Sequence, residues 1–345
     1  MALARLGFGL AWILLWLALL AATAWGAAAL WVDGPASRWL AGLLAAGYVA
    51  LSLALVIRIG VFRGGVLAGL APFAAVLAWW LAIPASNDRD WLPDVARSPV
   101  AEIQGNLVTL SNIRNFEYRA GVADFVEHWE TRSYDLDQIV GMDLFLSHWG
   151  SALIAHTIMS WEFADGRHLA VSIETRKEKG EEYSAVLGFF RQFELYYVVA
   201  DERDVIGVRT NHRGEEVFLY RLRAPADEAR ALLLHYLTEA NRLAREPSWY
   251  NALTQNCTTA IEHNLKAIGV AMVFDWRILA NGRLDELLYE RGNVNTTLPF
   301  ADLRARSNIT DEAGAAGNST DFSQRIREGL PERPPRNAPR GRVGG

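Results

Sequence analysis

The chain has one cysteine, Cys257, among 345 residues. A single thiol excludes an intramolecular disulfide framework and any multi-cysteine zinc or iron–sulfur site. No phosphate-binding loop, dinucleotide fingerprint, cluster of metal ligands or internal repeat can be read, so no cofactor and no metal are expected. An excess of basic charge is also lacking. The formal net charge is −5, which makes nucleic acid an unsuitable partner. Before Asp88 charge itself is scarce, being carried by Arg5, Asp33, Arg38, Arg58 and Arg63 alone, whereas beyond it charges are dense. Such a break separates a lipid-embedded region from a water-facing one.

What fills the charge-poor region is apolar. Leu6 to Val32, Trp39 to Ile57 and Gly64 to Pro84 each approach the ~20 residues that cross a bilayer. The first run is longer than the ~7–15 residue core of a signal peptide and two more follow it, so it reads as an anchor. Arg5 precedes the first run, and Arg58 and Arg63 lie between the second and third. The positive-inside rule then puts the N-terminus in the cytoplasm and everything after Ser86 on the far side, which in a bacterium is the periplasm. The expected organisation is three transmembrane helices over 1–86, a linker over 87–111, a periplasmic domain over 112–310 and a disordered tail over 311–345, rich in Gly, Pro, Asn and Arg.

The outer domain reads as α+β with an antiparallel sheet. Strands are predicted over Met142–Trp149, Ala155–Phe163, His168–Thr175, Phe193–Val199, Val205–Arg209 and Glu216–Leu222, with Asp165-Gly166 as a hairpin turn. Pro225 opens a helix to about Arg245, in which Ala229, Leu232, Leu233, Tyr236, Leu237, Ala240 and Leu243 recur at helical spacing. A second helix is predicted from Asn256 to about Ile268, stopped by Gly269, and a third over Leu284–Glu290.

Asn256 is a suitable N-cap, which places Cys257 on a first helical turn, where unpaired N–H groups and the helix dipole favour a thiolate. The alternative is a small buried thiol packing the helix start; the polar neighbours Gln255, Asn256, Thr258 and Thr259 argue against it. A nucleophile needs a base. His263 is turned some ~240° away on the same helix; His156, at the start of a strand, is better placed, with His148 in reserve. Ser172, Glu174 and Arg176 alternate onto one face of the returning strand. Glu174 is a candidate to orient the imidazole, yet a two-residue turn at Asp165-Gly166 pairs His156 with Thr175 and turns Glu174 to the opposite face, unless a bulge or another register intervenes. Arg176, Lys177 and Lys179 are candidates for an anionic head group, or else a solvated loop.

Four segments together resemble the bacterial family of the Lnb N-terminal periplasmic domain: Phe145–Gly150 running into Ala155–Ile158, Ser172–Gly180, Gly188–Glu194 and Trp249–Thr259. The residues just before His156 are Leu-Ile-Ala, where many relatives have Phe-Gly. The family is itself similar to circularly permuted papain-like enzymes of the NlpC and lecithin:retinol acyltransferase kind, in which the histidine strand precedes the cysteine helix. The resemblance implies a permuted papain-like fold, Cys257 as nucleophile, His156 as base, and transfer of an acyl chain from a phospholipid to a lipoprotein amine through a thioester. Two rivals follow from the same residues: a cysteine peptidase or amidase acting on cell-wall peptides, and a non-enzymatic envelope binding module.

Overall fold

A computed structural model describes residues 2–60, 64–252, 254, 257–270, 275–278 and 280–335, without the side chains of 2–8, 257 and 258. Arg63, Asn256 and the last ten residues of the tail therefore lie outside the described residues. The chain divides into two compact units. The first comprises Met1–Ser86, Tyr183–Glu194 and Trp249–Asn251; the second holds the remainder.

In the first unit, α1 (Ala2–Val32) and α2 (Arg38–Ile59) are the two helices long and apolar enough to cross a membrane among the described residues. Leu10, Ile13, Leu14, Leu17, Leu20, Leu43 and Leu53 are exposed along them, a surface suited to lipid rather than water. The third expected span is not one helix. It is divided at Leu70 into α3 (Gly65–Gly69) and α4 (Ala71–Leu81). Pro72 falls in the first turn of α4, where its missing N–H costs nothing but where it cannot extend the preceding helix. At 1.5 Å per residue α4 alone covers only ~16 Å. Trp80 Nε1 donates to Asp33 Oδ2 at 2.7 Å, so α4 ends beside the point where α1 ends. Leu19, Val56 and Val66 form the apolar contact that joins α1, α2 and α3.

The second unit is built on a mixed sheet. Its strands are β1 (Val100–Gln104), β2 (Leu107–Arg114), β5 (Trp129–Asp135), β6 (Ile139–His148), β7 (Ala155–Phe163), β8 (His168–Arg176), β9 (Glu194–Ala200) and β10 (Glu216–Leu222). They are ordered β1-β2-β9-β8-β7-β6-β10 with β5 on β2, while β3 (Glu117–Gly121) and β4 (Asp124–Val126) form a separate hairpin. The β2–β9 contact is parallel, so the sheet is not purely antiparallel. Two strands, β1 and β2, lie in the stretch expected to be a linker. Residues 87–95 are also held there: Leu92 N donates to Lys177 O, and Trp91 bridges to Glu178.

Alternation along β7 sorts the two faces. Trp161 points to α6 (Ala226–Arg245), donating to Ala229 O and meeting Tyr236 edge to face. The apolar positions of α6 read from its periodicity are buried. Asn264 of α7 (Cys257–Ala267) donates to Tyr197 OH on this same face, and α7 packs on β7 and β8. His156, Ile158 and Ser160 point the other way. Ile158 packs with Phe145, Ala170 and Val198 against Val205, Ile206, Ile309, Ala313, Phe322 and Ile326.

That second covering layer corrects two expectations. Val205–Arg209 is not a strand but the end of α5 (Glu202–Val205) running into a π-helical turn over Val208–His212. Residues 311–335 are not a disordered tail. After α8 (Leu284–Glu290) and α9 (Phe300–Ser307) come α10 (Thr310–Ala316) and α11 (Phe322–Arg325), and then a descending segment to Pro335. Composition misleads here because the arginines are structural. Arg327 pairs with Asp143 at 2.8 Å and Glu202 at 2.7 Å, and Arg333 with Asp143 at 2.9 Å and Glu162 at 2.7 Å. The side chains of Asp143 and Glu202 are fully buried, so they need these cations. Replacing Arg327 by Met should destabilise the domain by about 3–5 kcal/mol, read as a large fall in the thermal denaturation midpoint, whereas Arg306→Met, at an exposed position, should change it little.

Candidate functional site

The hairpin of β7 and β8 positions the site. Its pairs run from Ile158↔Ser172 to Glu162↔His168, a register one residue away from that of a two-residue turn at Asp165-Gly166. The loop holds three residues, Ala164, Asp165 and Gly166: Gly166 N donates to Phe163 O, Phe163 N to Arg167 O, and Gly166 has φ +83°. This is a type I turn closed by a left-handed residue, a role that glycine fills without steric cost. Continued along the strands, the observed register sets Glu174 opposite His156, on one face, and removes the geometric objection to that pair.

The contacts agree. His156, buried at the second position of β7, has Nε2 2.7 Å from Ser172 Oγ and 3.2 Å from Glu174 Oε1. Ser172 Oγ donates to Glu174 Oε1 at 2.7 Å. From the π-helical turn Arg209 Nη2 donates to the same oxygen at 2.7 Å, and Arg209 Nη1 donates to Glu215 Oε2 at 3.0 Å. Ser147, the partner of His156 across β6 and β7, donates its hydroxyl to Glu215. Asn281 accepts from Ala155 N at 2.9 Å and fixes the start of β7.

Burial by itself raises the Glu174 carboxyl. His156, Arg209 and the hydroxyl of Ser172 outweigh it and hold the group well below the ordinary carboxylate value of 4.5. Glu174 is thus a permanent anion beside the imidazole. A carboxylate so placed fixes the ring's orientation and stabilises its protonated form. Because Nε2 faces Ser172 and Glu174, Nδ1 is the nitrogen through which the ring would exchange a proton with a nucleophile. Sequence reasoning missed Arg209 and Glu215, since a strand was expected where the π-helical turn lies; nothing in the local pattern marks that turn.

The other predicted residues divide. Cys257 is the first residue of α7, as its N-terminal position required, while its side chain, that of Thr258 and all of Asn256 are outside the described residues. Arg176 is not available to a head group. It is buried, with Nε on Val95 O, Nη2 on Ala96 O and Nη1 on Asn87 Oδ1, and its guanidinium lies over Trp91 at 4.4 Å and Tyr196 at 4.9 Å. All three of its nitrogens donate to oxygens of the incoming chain, a structural task. Lys177 is half-buried, and its carbonyl is tied to Leu92; Lys179 pairs with Asp90 at 2.6 Å. His148 lies on the face opposite His156, where burial lowers its pKa. Asp143, Glu162 and His168 approach within 4.8 Å in the manner of metal ligands, but Arg327 and Arg333 already supply their cations.

A membrane anchor followed by an α+β domain carrying an oriented histidine and a helix-initiating cysteine defines a class of envelope protein. Residues 125–282 match the family model of the Lnb N-terminal periplasmic domain. The matched span contains His156, Ser172, Glu174, Arg209 and Cys257. With its two long apolar helices, the chain is a membrane-anchored periplasmic protein. No curated protein and no solved structure matches it.

Acid sensitivity follows from two buried carboxyls that are held down, those of Glu174 and Glu202. Glu202 is held at about 2: burial opposes its charge, but Arg327 and His168 outweigh that. A folded-state pKa below the unfolded value of ~4.3 stabilises the fold at neutral pH and is lost as pH falls below ~4.3 towards the folded value. The denaturation midpoint should therefore be nearly level from about pH 7 to 5 and fall steeply from about pH 4.5 to 2. Glu174→Gln and Glu202→Gln should each lower the neutral-pH midpoint and flatten the acid limb, measured by circular dichroism.

Proposed function

We propose that the protein is a membrane-anchored cysteine acyltransferase of the envelope, with Cys257 as nucleophile, His156 as general base and Glu174 as the residue that orients it. The observation that carries this reading is the imidazole held through Nε2 by Ser172 and an ionised carboxylate, itself clamped by Arg209. Generic structural histidines have no need of a carboxylate kept charged by a buried guanidinium; a base that must accept a proton does.

The steps balance as follows. Since Asn264, two turns into α7, lies on the Trp161 face, the reading requires Cys257, at the start of that helix, to reach His156 around the beginning of β7; there Nδ1 would take the Cys257 proton, and the thiolate would attack an ester carbonyl of a phospholipid. Backbone N–H groups of the first turn of α7 face the developing oxyanion. The intermediate collapses, the alcohol of the lysophospholipid leaves with the proton from the imidazolium, and a thioester remains on Cys257. An amine, by likeness to the family a lipoprotein N-terminus, attacks the thioester. His156 accepts the amine's proton, the amide forms, and the thiolate leaves and is reprotonated. Wild-type protein incubated with phospholipid carrying a radiolabelled acyl chain should acquire a hydroxylamine-labile label. Cys257→Ala should acquire none, and His156→Ala should acquire it at least about a hundredfold more slowly. Label that forms equally in Cys257→Ala sinks the mechanism, and release of peptide stems from cell-wall fragments without any label favours the amidase.

The reading also requires the domain to leave the membrane on the far side from the N-terminus. We propose that 65–81, although divided, makes the third crossing, supported by the meeting of Trp80 with Asp33 at the ends of α4 and α1. Alkaline phosphatase fused after Asn87 should be active in cells and inactive when fused after Gly60; the reverse pattern overturns this topology.

A further inference from the structure

The connection between β8 and β9 contains an arginine whose task the mechanism leaves open. Within the first unit, Asp33 fastens that connection: its carboxylate accepts from Gln192 Nε2 at 2.7 Å, Arg191 N at 3.2 Å and Trp80 Nε1 at 2.7 Å. Its oxygens are thereby spent on the backbone and on neutral side chains rather than on the Arg191 guanidinium. That guanidinium lies over the face of Trp80 at 4.3 Å and near Trp249 at 5.8 Å. Arg191 Nε is buried with no hydrogen-bond partner among the described residues. Burial lowers its pKa, with Asp33 acting in the opposite sense. Trp249 Nε1 donates to Ile83 O, just past α4, and Trp25 packs against Trp80, Phe73 and Phe190. Tryptophans gather in this way at the head-group level of a bilayer.

A guanidinium held by its faces keeps its in-plane N–H groups for a planar or tetrahedral oxyanion, and a fork of such donors suits phosphate. The same unit exposes Val186, Phe189, Trp79 and Leu81, apolar surface that suits acyl chains and not a free ion. We propose that Arg191, framed by Trp80 and Trp249, binds the phosphate of a phospholipid and so holds the acyl donor at the membrane exit. The inference rests on the reading that a phospholipid is the donor, and it makes Arg191 a substrate-binding residue.

The test measures binding, not turnover. The full chain carrying Cys257→Ala, in maltoside micelles free of phospholipid, is titrated with dihexanoylphosphatidylglycerol, with dihexanoylglycerol lacking the phosphate, and with inorganic phosphate, following tryptophan fluorescence and heat. Arg191→Gln should raise the Kd for the phospholipid by roughly ten- to a hundredfold and leave that for dihexanoylglycerol unchanged. Arg191→Lys, which keeps the charge and loses the fork, should fall between and also serves if the Gln variant does not fold. Equal phospholipid affinity in wild-type and Arg191 variants overturns the proposal. So does inorganic phosphate that displaces the phospholipid at equal concentration, since the site would then serve a free anion. An absent acyl-enzyme in the wild type would defeat the transferase reading while leaving this binding result as measured.

Discussion

A glycine at the third position of a three-residue turn decides which side chain His156 meets. Side chains on a strand alternate, so a one-residue change of register moves every residue of the partner strand to the other face. With Gly166 left-handed, the even-numbered residues of β8 share the face of the even-numbered residues of β7. Ser172 and Glu174 then reach His156, and Ser160 reaches Glu202 at 2.5 Å on the same side. The relay descends from that turn.

Putting several carboxylates on a buried face creates an obligation. Asp143, Glu174, Glu202 and Asp204 are each answered by a guanidinium: Arg327 and Arg333, Arg209, Arg327 again, and Arg114, the last at 2.7 Å. An anion left alone in such a place would cost several kcal/mol. The arginines come from far apart in the chain, so the ion pairs join the π-helical turn and the C-terminal helices to the sheet. They also explain why residues 311–335, so polar in composition, pack on the domain.

Much of this was legible beforehand, and the failures share a cause. Periodicity located β7, β8, β10, α6 and the start of α7 because each follows one repeat over many residues. It placed His156 at a strand start and Cys257 at a helix start. The turn length was not legible, because Asp165-Gly166 satisfies the signature of a two-residue hairpin as well as of the three-residue one. The π-helical turn at Val208–His212 was read as a strand because Val205-Ile206-Gly-Val208 has β-type composition. Charge in sequence does not reveal that oxygens of Asn87, Val95 and Ala96 surround Arg176. The third apolar run passed a length test that takes no account of a break at Leu70 followed by Pro72.

The family match ends at residue 282, and the division it makes is informative. Inside it lie the histidine, its serine and carboxylate, the arginine that keeps the carboxylate charged, and the cysteine helix. Outside it lie the anchor with Asp33 and Trp80, and the C-terminal arginines that neutralise Asp143 and Glu202. The base is thus oriented by β7, β8 and the π-helical turn, none of which belongs to α7. Orientation of the base does not depend on the helix that supplies the thiol.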